Sequence, residues 1–498
     1  MRLLFLALAP ITLKNFDSVV RELARRGHEV TIALHTVDPA PGTDELLAGL
    51  RRDLPTLVFE TTPQRLSDPW LPFAADVRSN LDLVTYLDPR FSSTYRGRSW
   101  KRAARVVRWI ASTRLRHSRG VRRLIAWSLR SVELSIPAAP ELQQYLAERR
   151  PDVVLFSPYV ALRSQQPDYM RAAQALGLRT AVAVFSWDNL SSKSRLFPPP
   201  SKVLVWNHTQ RAEARTLHGL SDEQVEVTGA QCFDQWFEWK ARPREDFCAS
   251  VGVDPELPVL LYTCFTPFKG TGSEVPFVLR WVAHLRASSN PVLRSAGIVI
   301  RPHPKRIKDW SRVDLSPFPG TVIWPTEGRL PTDDGAKADL FDSIYHSSAV
   351  VGLNTSLLIE AGIVGRPVLT VLAPEHSRSQ TETLHFRYLR EVGGGLLQAA
   401  RTLDEHEEQL AAALAGGNSR PSEAFVREFV RPFGLDRPAT PRFVDALERL
   451  ASEPPPSPVR PPLLAPLLRR FLRIPARRSA REAERLRRDK EARLRREA

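Results

Sequence analysis

The chain has 498 residues, 43% of them hydrophobic, which is too long for one ordinary domain and enough to bury more than one core. Its formal charge of +16 (71 Lys and Arg against 55 Asp and Glu) favours anionic partners: nucleic acid, anionic lipid or anionic polymer. No apolar run reaches the roughly 18–20 residues of a transmembrane helix, and three scattered cysteines, Cys232, Cys248 and Cys264, exclude a disulfide framework and a zinc site and suit a reducing cytoplasm.

The start, MRLLFLALAPI, fits a short signal sequence or a buried first strand. The continuation NFDSVVRELARRGHEVTIALH favours the strand, since it reads as an amphipathic helix followed by a second apolar strand. Strands are predicted at 2–9, 29–35, 56–60, 152–157, 180–185, 203–206 and 225–228, with helices at 15–26, 169–176 and 209–218 between them. Short apolar strands alternating with helices predict a parallel sheet covered on both faces. A basic helical insertion at about 90–135 interrupts the alternation, and residues 89–132 contain no acid. Within it Trp100, Ala104, Val107 and Ala111 share one helical face, and Lys101, Arg105 and Arg108 another.

The pattern pauses at EWKARPRED and restarts, with strands predicted at 259–263, 297–301, 321–324, 349–353 and 367–372. Three parts follow: a first Rossmann-like domain over 1–240, a second over 241–452, and a tail over 453–498. The tail opens with the proline-rich spacer PPPSPVRPPLLAP and continues as a basic segment, helical or disordered. In open parallel sheets ligands bind beyond the carboxyl ends of the strands, here in the cleft between the two domains.

One junction in the second domain carries chemistry. In SSAVVGLNTSLLIEAGIVGRPV a strand ends at Asn354, Thr355 and Ser356, and a helix follows that stops at Gly365-Arg366-Pro367. A helix N-terminus offers free N–H groups and a positive dipole end, which suits a diphosphate. Glu360 would repel that phosphate, but its carboxylate can accept two neighbouring hydroxyls, as on a ribose. A capping box from Ser356 would need its acid at position 359, which is isoleucine, so capping does not explain Glu360; a solvated surface glutamate is the other reading.

The pattern of strand, small polar residues, helix with glutamate and Gly-x-Pro-Val resembles the donor half of GT-B glycosyltransferases. It is similar to the lipid-linked N-acetylglucosaminyltransferases of peptidoglycan synthesis and to UDP-GlcNAc 2-epimerases. That resemblance implies that Glu360 binds the nucleotide ribose, and that His376, Gln380 and Thr381, in and after APEHSRSQ, lie near the donor sugar. The segment Val299-Ile-Arg-Pro-His-Pro304 resembles the His-Pro element of CDP-glycerol glycerophosphotransferases, capsule polysaccharide transferases and bacterial sialyltransferases. It implies a place for Arg301 and His303 beside the donor phosphate, where a histidine can donate a hydrogen bond or be charged. Thr332-Asp333-Asp334-Gly335 is like the sialyltransferase acidic motif but follows His-Pro instead of preceding it, and reads as a turn with helix-capping acids. The first loop, Ala9 to Asn15, lacks the glycines and the Gly-His pair of many relatives, so their histidine base cannot be carried over.

Acid–base candidates therefore come from elsewhere. In AVAVFSWDNLSSKSRLF, Trp187, Asp188 and Asn189 are expected to project from a strand end towards the acceptor side of the cleft. A carboxylate beside a tryptophan can have a raised pKa and act as base, and Asp188 can equally cap an Asp-Asn-x-Ser turn. Asp17 is the second candidate. Lys269, in a loop without a P-loop pattern, is placed near the diphosphate. No metal cluster is visible, and the resemblance implies a metal-independent reaction with a UDP-, CDP- or GDP-linked donor and no bound cofactor.

The basic helices suit an anionic membrane surface, with Trp100, Arg105, Arg108 and Trp109 in the insertion and Leu468 and Phe471 in the tail as contacts. A solvated basic face is the plain alternative, and nucleic acid is not expected, because the aromatics form no stacking array. The expected protein is thus a GT-B transferase, cytoplasmic or peripheral on the inner face of the plasma membrane. It would move a sugar or polyol phosphate to a lipid-linked, polysaccharide or teichoic-acid-like envelope acceptor. The alternatives are a nucleotide-sugar epimerase and a non-catalytic binding protein on the same fold.

Overall fold

The computed structural model describes residues 1–35, 42–65, 68–100, 103–161, 164–266, 272–328, 330–416 and 422–497. Seven strands form the first sheet: β1 (Arg2–Ala7), β2 (Glu29–Leu34), β3 (Val58–Thr61), β4 (Val153–Ser157), β5 (Arg179–Ala183), β6 (Lys202–Val205) and β7 (Val225–Val227). Six form the second: β8 (Val259–Thr263), β9 (Gly297–Arg301), β10 (Thr321–Ile323), β11 (Ala349–Gly352), β12 (Val368–Val371) and β13 (Gln398–Ala400). Their orders are β3-β2-β1-β4-β5-β6-β7 and β10-β9-β8-β11-β12-β13, and neighbouring strands run parallel throughout.

Alternation along each central strand explains the layering. Leu3, Phe5 and Ala7 of β1 enter one buried cluster, while Leu4 and Leu6 enter another on the opposite face. In β8, Val259 and Leu261 divide from Leu260 and Tyr262 in the same way. Each of the valines, leucines and phenylalanines contributes about 1.5–3 kcal/mol on full burial, which is why both faces must be covered by helices. The strand order reverses between β1 and β4 and between β8 and β11, so each sheet has a switch point, and the two lie on facing sides of one cleft.

Two expectations about the chain's course change. The helix Ala439–Ser452, assigned to the second domain, returns to the first: Phe443, Val444 and Leu447 are buried with Leu3, Phe5 and Phe16. Its amphipathic face fits the groove beside helix Asp17–Arg25, where Arg26 binds Asp445 at 2.7 Å and Glu448 at 2.9 Å. The return is bonded to the outgoing crossing. Ala230 N donates to the Val430 carbonyl at 2.9 Å, and Asp234 accepts from Arg431 (2.9 Å), Ala439 N (3.0 Å) and Thr440 N (2.7 Å). The tail is helical over Ala465–Glu497, its Leu472 and Ala476 packing with Phe73, Val77 and Ile136.

The insertion is not one amphipathic helix. Helix Ser93–Trp100 ends, helix Arg105–Ser112 begins anew, and helix Arg119–Ser135 follows. Trp100, Val107 and Ala111 pack inward with Leu83, Val84 and Leu87, so Trp100 is part of the protein's own packing instead of a surface contact. Ala104, expected on that inner face, is exposed. Exposed apolar residues of the insertion include instead Val106, Trp109, Leu124 and Trp127, and those of the tail include Leu463, Leu464, Leu467, Phe471 and Ile474. Arg105 is exposed and Arg108 half-buried, while Leu468 is half-buried. Among the described residues no helix is long and apolar enough to cross a membrane.

Candidate functional site

The cleft between the sheets encloses about 980 Å³. Its walls come from strand ends: Lys14 after β1, Ser186 to Asp188 and Lys193 after β5, Thr266 after β8, Arg301 and His303 at β9, and Asn354 to Leu357 and Glu360 after β11. Parallel strands force this convergence, since every strand of a sheet delivers its carboxyl end to the same side.

On the second-domain wall, Arg301 is buried, with its guanidinium 5.2 Å from the Trp324 ring centroid. Burial lowers its pKa to about 10, against the pull of Asp339 and Glu360, so it stays charged at neutral pH. His303 accepts the Lys305 N–H through Nδ1 at 3.2 Å. Burial, with Lys305 and Lys14, pushes its ring down to about 4. A neutral imidazole whose Nδ1 accepts carries its proton on Nε2, so His303 is a hydrogen-bond donor and not an imidazolium. Helix Leu357–Ile363 has only seven residues, so the expected anion site there reduces to local N–H groups with little macrodipole behind them. Thr355 is buried and Ser356 exposed, both on the cleft wall.

Glu360 lies inside the cleft and is not a solvated surface glutamate. Burial raises its pKa to about 7, opposed by Lys14 and Arg301. Lys14, from the turn Pro10–Asn15, is displaced downwards by burial, against the attraction of Glu360 and Cys232. Sequence reasoning passed over this lysine, because only the fold brings the first loop opposite residue 360. Four buried polar atoms on residues of the cleft walls have no hydrogen-bond partner among the described residues: Arg301 Nη1, Asn354 Oδ1, Glu360 Oε2 and Ser379 Oγ. Orphaned buried groups cost about 1–3 kcal/mol each, so their gathering in one place marks where a polar ligand would satisfy them.

The first-domain wall differs from expectation. Asp188 accepts the Ser186 and Ser192 hydroxyls at 2.7 Å each and pairs with Lys193 at 2.9 Å. Burial alone would raise its pKa, but Lys193, His385 and these hydrogen bonds hold it well below the usual carboxylate range. The raised value expected beside Trp187 is therefore reversed. Trp187 lines the cleft and meets the His385 ring edge-to-face at 4.8 Å, whereas Asn189 is turned inward, accepting the Phe185 N–H at 3.2 Å. His385, unremarked in the sequence, also lines the cleft, its Nε2 3.2 Å from Asn354 Nδ2.

Several assigned residues lie elsewhere. Asp17 faces Arg21 at 3.0 Å on the outer side of its helix and does not line the cleft. His376 is buried against Phe265 and Phe277, and Gln380 spends its amide on Leu353 O, Thr370 Oγ1, Val371 O and Ala373 N. Both serve packing in the loop expected to hold the sugar, and Thr381 is exposed outside the lining. Arg378 and Ser379 of that loop line the cleft instead. Lys269 lies outside the described residues. Asp333 caps helix Asp334–Tyr345 by accepting the Ala336 N–H at 3.0 Å, as its turn reading required. Among the described residues no group of three potential metal ligands converges.

No family model and no curated protein matches the sequence. Solved structures do match the fold. One is a glycosyltransferase from Rickettsia africae, 9% identical, with a TM-score of 0.51 over 91% of this chain and 99% of that one. Another is the UDP-GlcNAc 2-epimerase of Methanocaldococcus jannaschii, solved with UDP-GlcNAc and UDP, 13% identical, with a TM-score of 0.51 over 90% and 100%. A Listeria monocytogenes protein assigned to the UDP-N-acetylglucosamine 2-epimerases is 12% identical, with a TM-score of 0.50 over 93% and 98%. The fold is GT-B: two Rossmann-like domains facing a cleft.

Proposed function

We propose that the cleft binds a nucleotide-activated donor and that the protein transfers its sugar or polyol phosphate to a cell-envelope acceptor. The observation that carries this reading is the set of four unpartnered buried polar atoms on residues of the cleft walls. Glu360 accepts the ribose hydroxyls. Arg301 and the Nε2–H of His303 hold the diphosphate and stabilise the charge it gains as its bond to the transferred group breaks. Lys14 adds a cation from the opposite domain, and Asp188, kept ionised by Lys193, orients that wall. The acceptor hydroxyl approaches from the side of Trp187, bonds to the transferred group as its bond to the diphosphate breaks, and releases its proton to solvent. The chemistry runs on these side chains without a metal.

Trp109, Trp127 and Phe471, each exposed by 60% or more among arginines, support docking on an anionic membrane where such an acceptor resides.

A second reading, epimerisation of a nucleotide sugar, draws support from Asp188. A carboxylate held so far below its usual range is a poor base for an acceptor hydroxyl.

The test is thermal stability against UDP, CDP, GDP, ADP and CMP, with Glu360→Ala alongside. A ligand at about 100 times its Kd adds roughly 2.7 kcal/mol. One nucleotide should stabilise the wild type and lose that effect in the variant; stabilisation by none would overturn the donor site. Incubating the matching nucleotide sugar without acceptor then separates the two readings, since only an epimerase yields the isomeric sugar, whereas a transferase at most hydrolyses its donor.

A further inference from the structure

A second cavity, of about 870 Å³, lies wholly in the first domain, between residues 84 and 219. Six arginines line it: Arg90, Arg119, Arg122, Arg123, Arg130 and Arg195. Among the described residues the one acid on its wall, Asp88, is already engaged by Arg90 at 2.9 Å and also feels Arg122, Arg195 lies in the field of Asp82, and Arg119, Arg123 and Arg130 remain without a compensating carboxylate. Among the described residues, none of Arg119, Arg122, Arg123 and Arg130 has a carboxylate within ion-pairing distance.

Local structure makes this arrangement costly as it stands. Helix Arg119–Ser135 has no acid in its first turn, and Arg119, Arg122 and Arg123 stand at its positive end, where cations are disfavoured. Arg195 is anchored on the carbonyls of Leu217 (3.1 Å) and His218 (2.9 Å), yet among the described residues its buried Nε has no hydrogen-bond partner, nor has the Nε of Arg130. Conflicts of this kind, local charge against local dipole and unmet buried donors, concentrate at functional sites. An anion in the cavity would offset the clustered positive charge and the unfavourable end of the helix dipole.

We propose that this cavity is a binding site for a ligand carrying two or more phosphate groups. The lining cations are all arginine, whose planar forks match phosphate oxygens bidentately, and the cavity is large enough for more than one such group. The site is separate from the cleft. The cluster of Tyr86, Phe91 and Tyr95 stands between them, with Phe91 on the cavity wall and the Tyr86 hydroxyl bonded to the carbonyl of Lys193, a residue of the cleft wall. Leu124 and Trp127, each more than 60% exposed, flank the arginines on the same helix, so the phosphates could belong to a lipid as well as to a soluble molecule. The inference does not depend on the donor reading.

Inorganic pyrophosphate is the probe, titrated calorimetrically into full-length Arg301→Gln protein so that the cleft contributes little. Binding should persist near one equivalent and weaken at least tenfold when Arg119→Gln and Arg123→Gln are added. Both arginines are exposed and unpaired, so the double variant should fold normally. Arg130→Gln, which removes a buried unpartnered donor, should weaken binding too. Absence of pyrophosphate binding in Arg301→Gln protein, or binding indifferent to all three cavity substitutions, would overturn the site. A second arm uses vesicles of one-quarter cardiolipin, a lipid with two phosphates, in phosphatidylcholine. Vesicle binding displaced by pyrophosphate supports the site and assigns it a lipid headgroup; pyrophosphate binding that leaves vesicle binding unchanged supports it and assigns a soluble ligand.

Discussion

Glu360 offers the sharpest test of the cleft, because its ionisation falls inside the usable pH range. Burial pushes the carboxyl up to about 7, with Lys14 and Arg301 pulling it back. A carboxylate accepting two ribose hydroxyls must be ionised, so affinity follows the ionised fraction. The value is raised, so the proton is held at low pH, and affinity grows as pH rises through 7. From a pKa of about 7 the ionised fraction climbs from roughly one tenth at pH 6 to nine tenths at pH 8, close to a tenfold gain in affinity. His303, at about 4, is neutral throughout and Arg301, at about 10, is charged throughout, while Lys14, lowered by burial, can only lose charge as pH rises and so opposes the gain. Glu360→Gln keeps the shape and one acceptor oxygen but loses the charge. Hydrogen bonds to charged groups exceed neutral ones by about 1–1.5 kcal/mol, so the variant should bind roughly tenfold more weakly at pH 8 and nearly as well as wild type at pH 6. The assay is calorimetric titration at pH 6, 7 and 8 with a nucleotide sugar, whose esterified diphosphate does not titrate there. A ratio of wild-type to variant affinity that stays constant across these pH values would refute the assignment.

Three further tests address the scaffold. Glu213 accepts the Tyr388 hydroxyl at 2.6 Å across the domain boundary, and burial raises it to about 8. Its folded pKa exceeds the unfolded one, so its stabilising contribution is complete at acid pH and is lost between about 4.5 and 8. Glu213→Gln should raise Tm at pH 8.5 and leave it nearly unchanged at pH 5; equal shifts at both would rule out titration as the cause. In Gly352→Ala the new Cβ would stand 2.6 Å from Thr263 Oγ1 and 2.9 Å from the Thr263 carbonyl oxygen, forcing β8 and β11 apart. A cost of about 1–3 kcal/mol is expected as a lower denaturation midpoint, and an unchanged midpoint would mean the strands part freely. Trp109→Ala with Trp127→Ala should cut cosedimentation with phosphatidylglycerol vesicles severalfold while nucleotide stabilisation persists; unchanged cosedimentation would remove these helices from membrane contact.

The strands were legible because each is a short apolar run, and twelve of the thirteen were expected within a few residues. The exception, β13, is Gln-Ala-Ala, whose composition gives no β signal. Arg301, His303, Asn354 and Glu360 were legible because each sits at or just after a strand end, where topology alone assigns the cleft. Lys14 and His385 were not, because their place depends on which loops face one another across the domains. His376 and Gln380 misled for the opposite reason: a loop in the right position still divides its side chains between cleft and core, and packing decides which go where. The returning helix Ala439–Ser452 could not be read either, since an amphipathic face says that it must be covered and not by what.

That return gives the two domains a particular mechanical relation. The chain passes between them twice, and the passages are laced together through Ala230 with Val430 and Asp234 with Arg431 and Thr440. Two parallel connections fastened side by side behave as the spine of a book: the covers turn about one line, and sliding or twisting is resisted. Bonds such as Thr94 with Glu382 then join the covers away from the spine and must break whenever they part. A substitution at Asp234, a residue absent from the cleft lining, would therefore alter how fast the halves swing while leaving the chemistry between them intact.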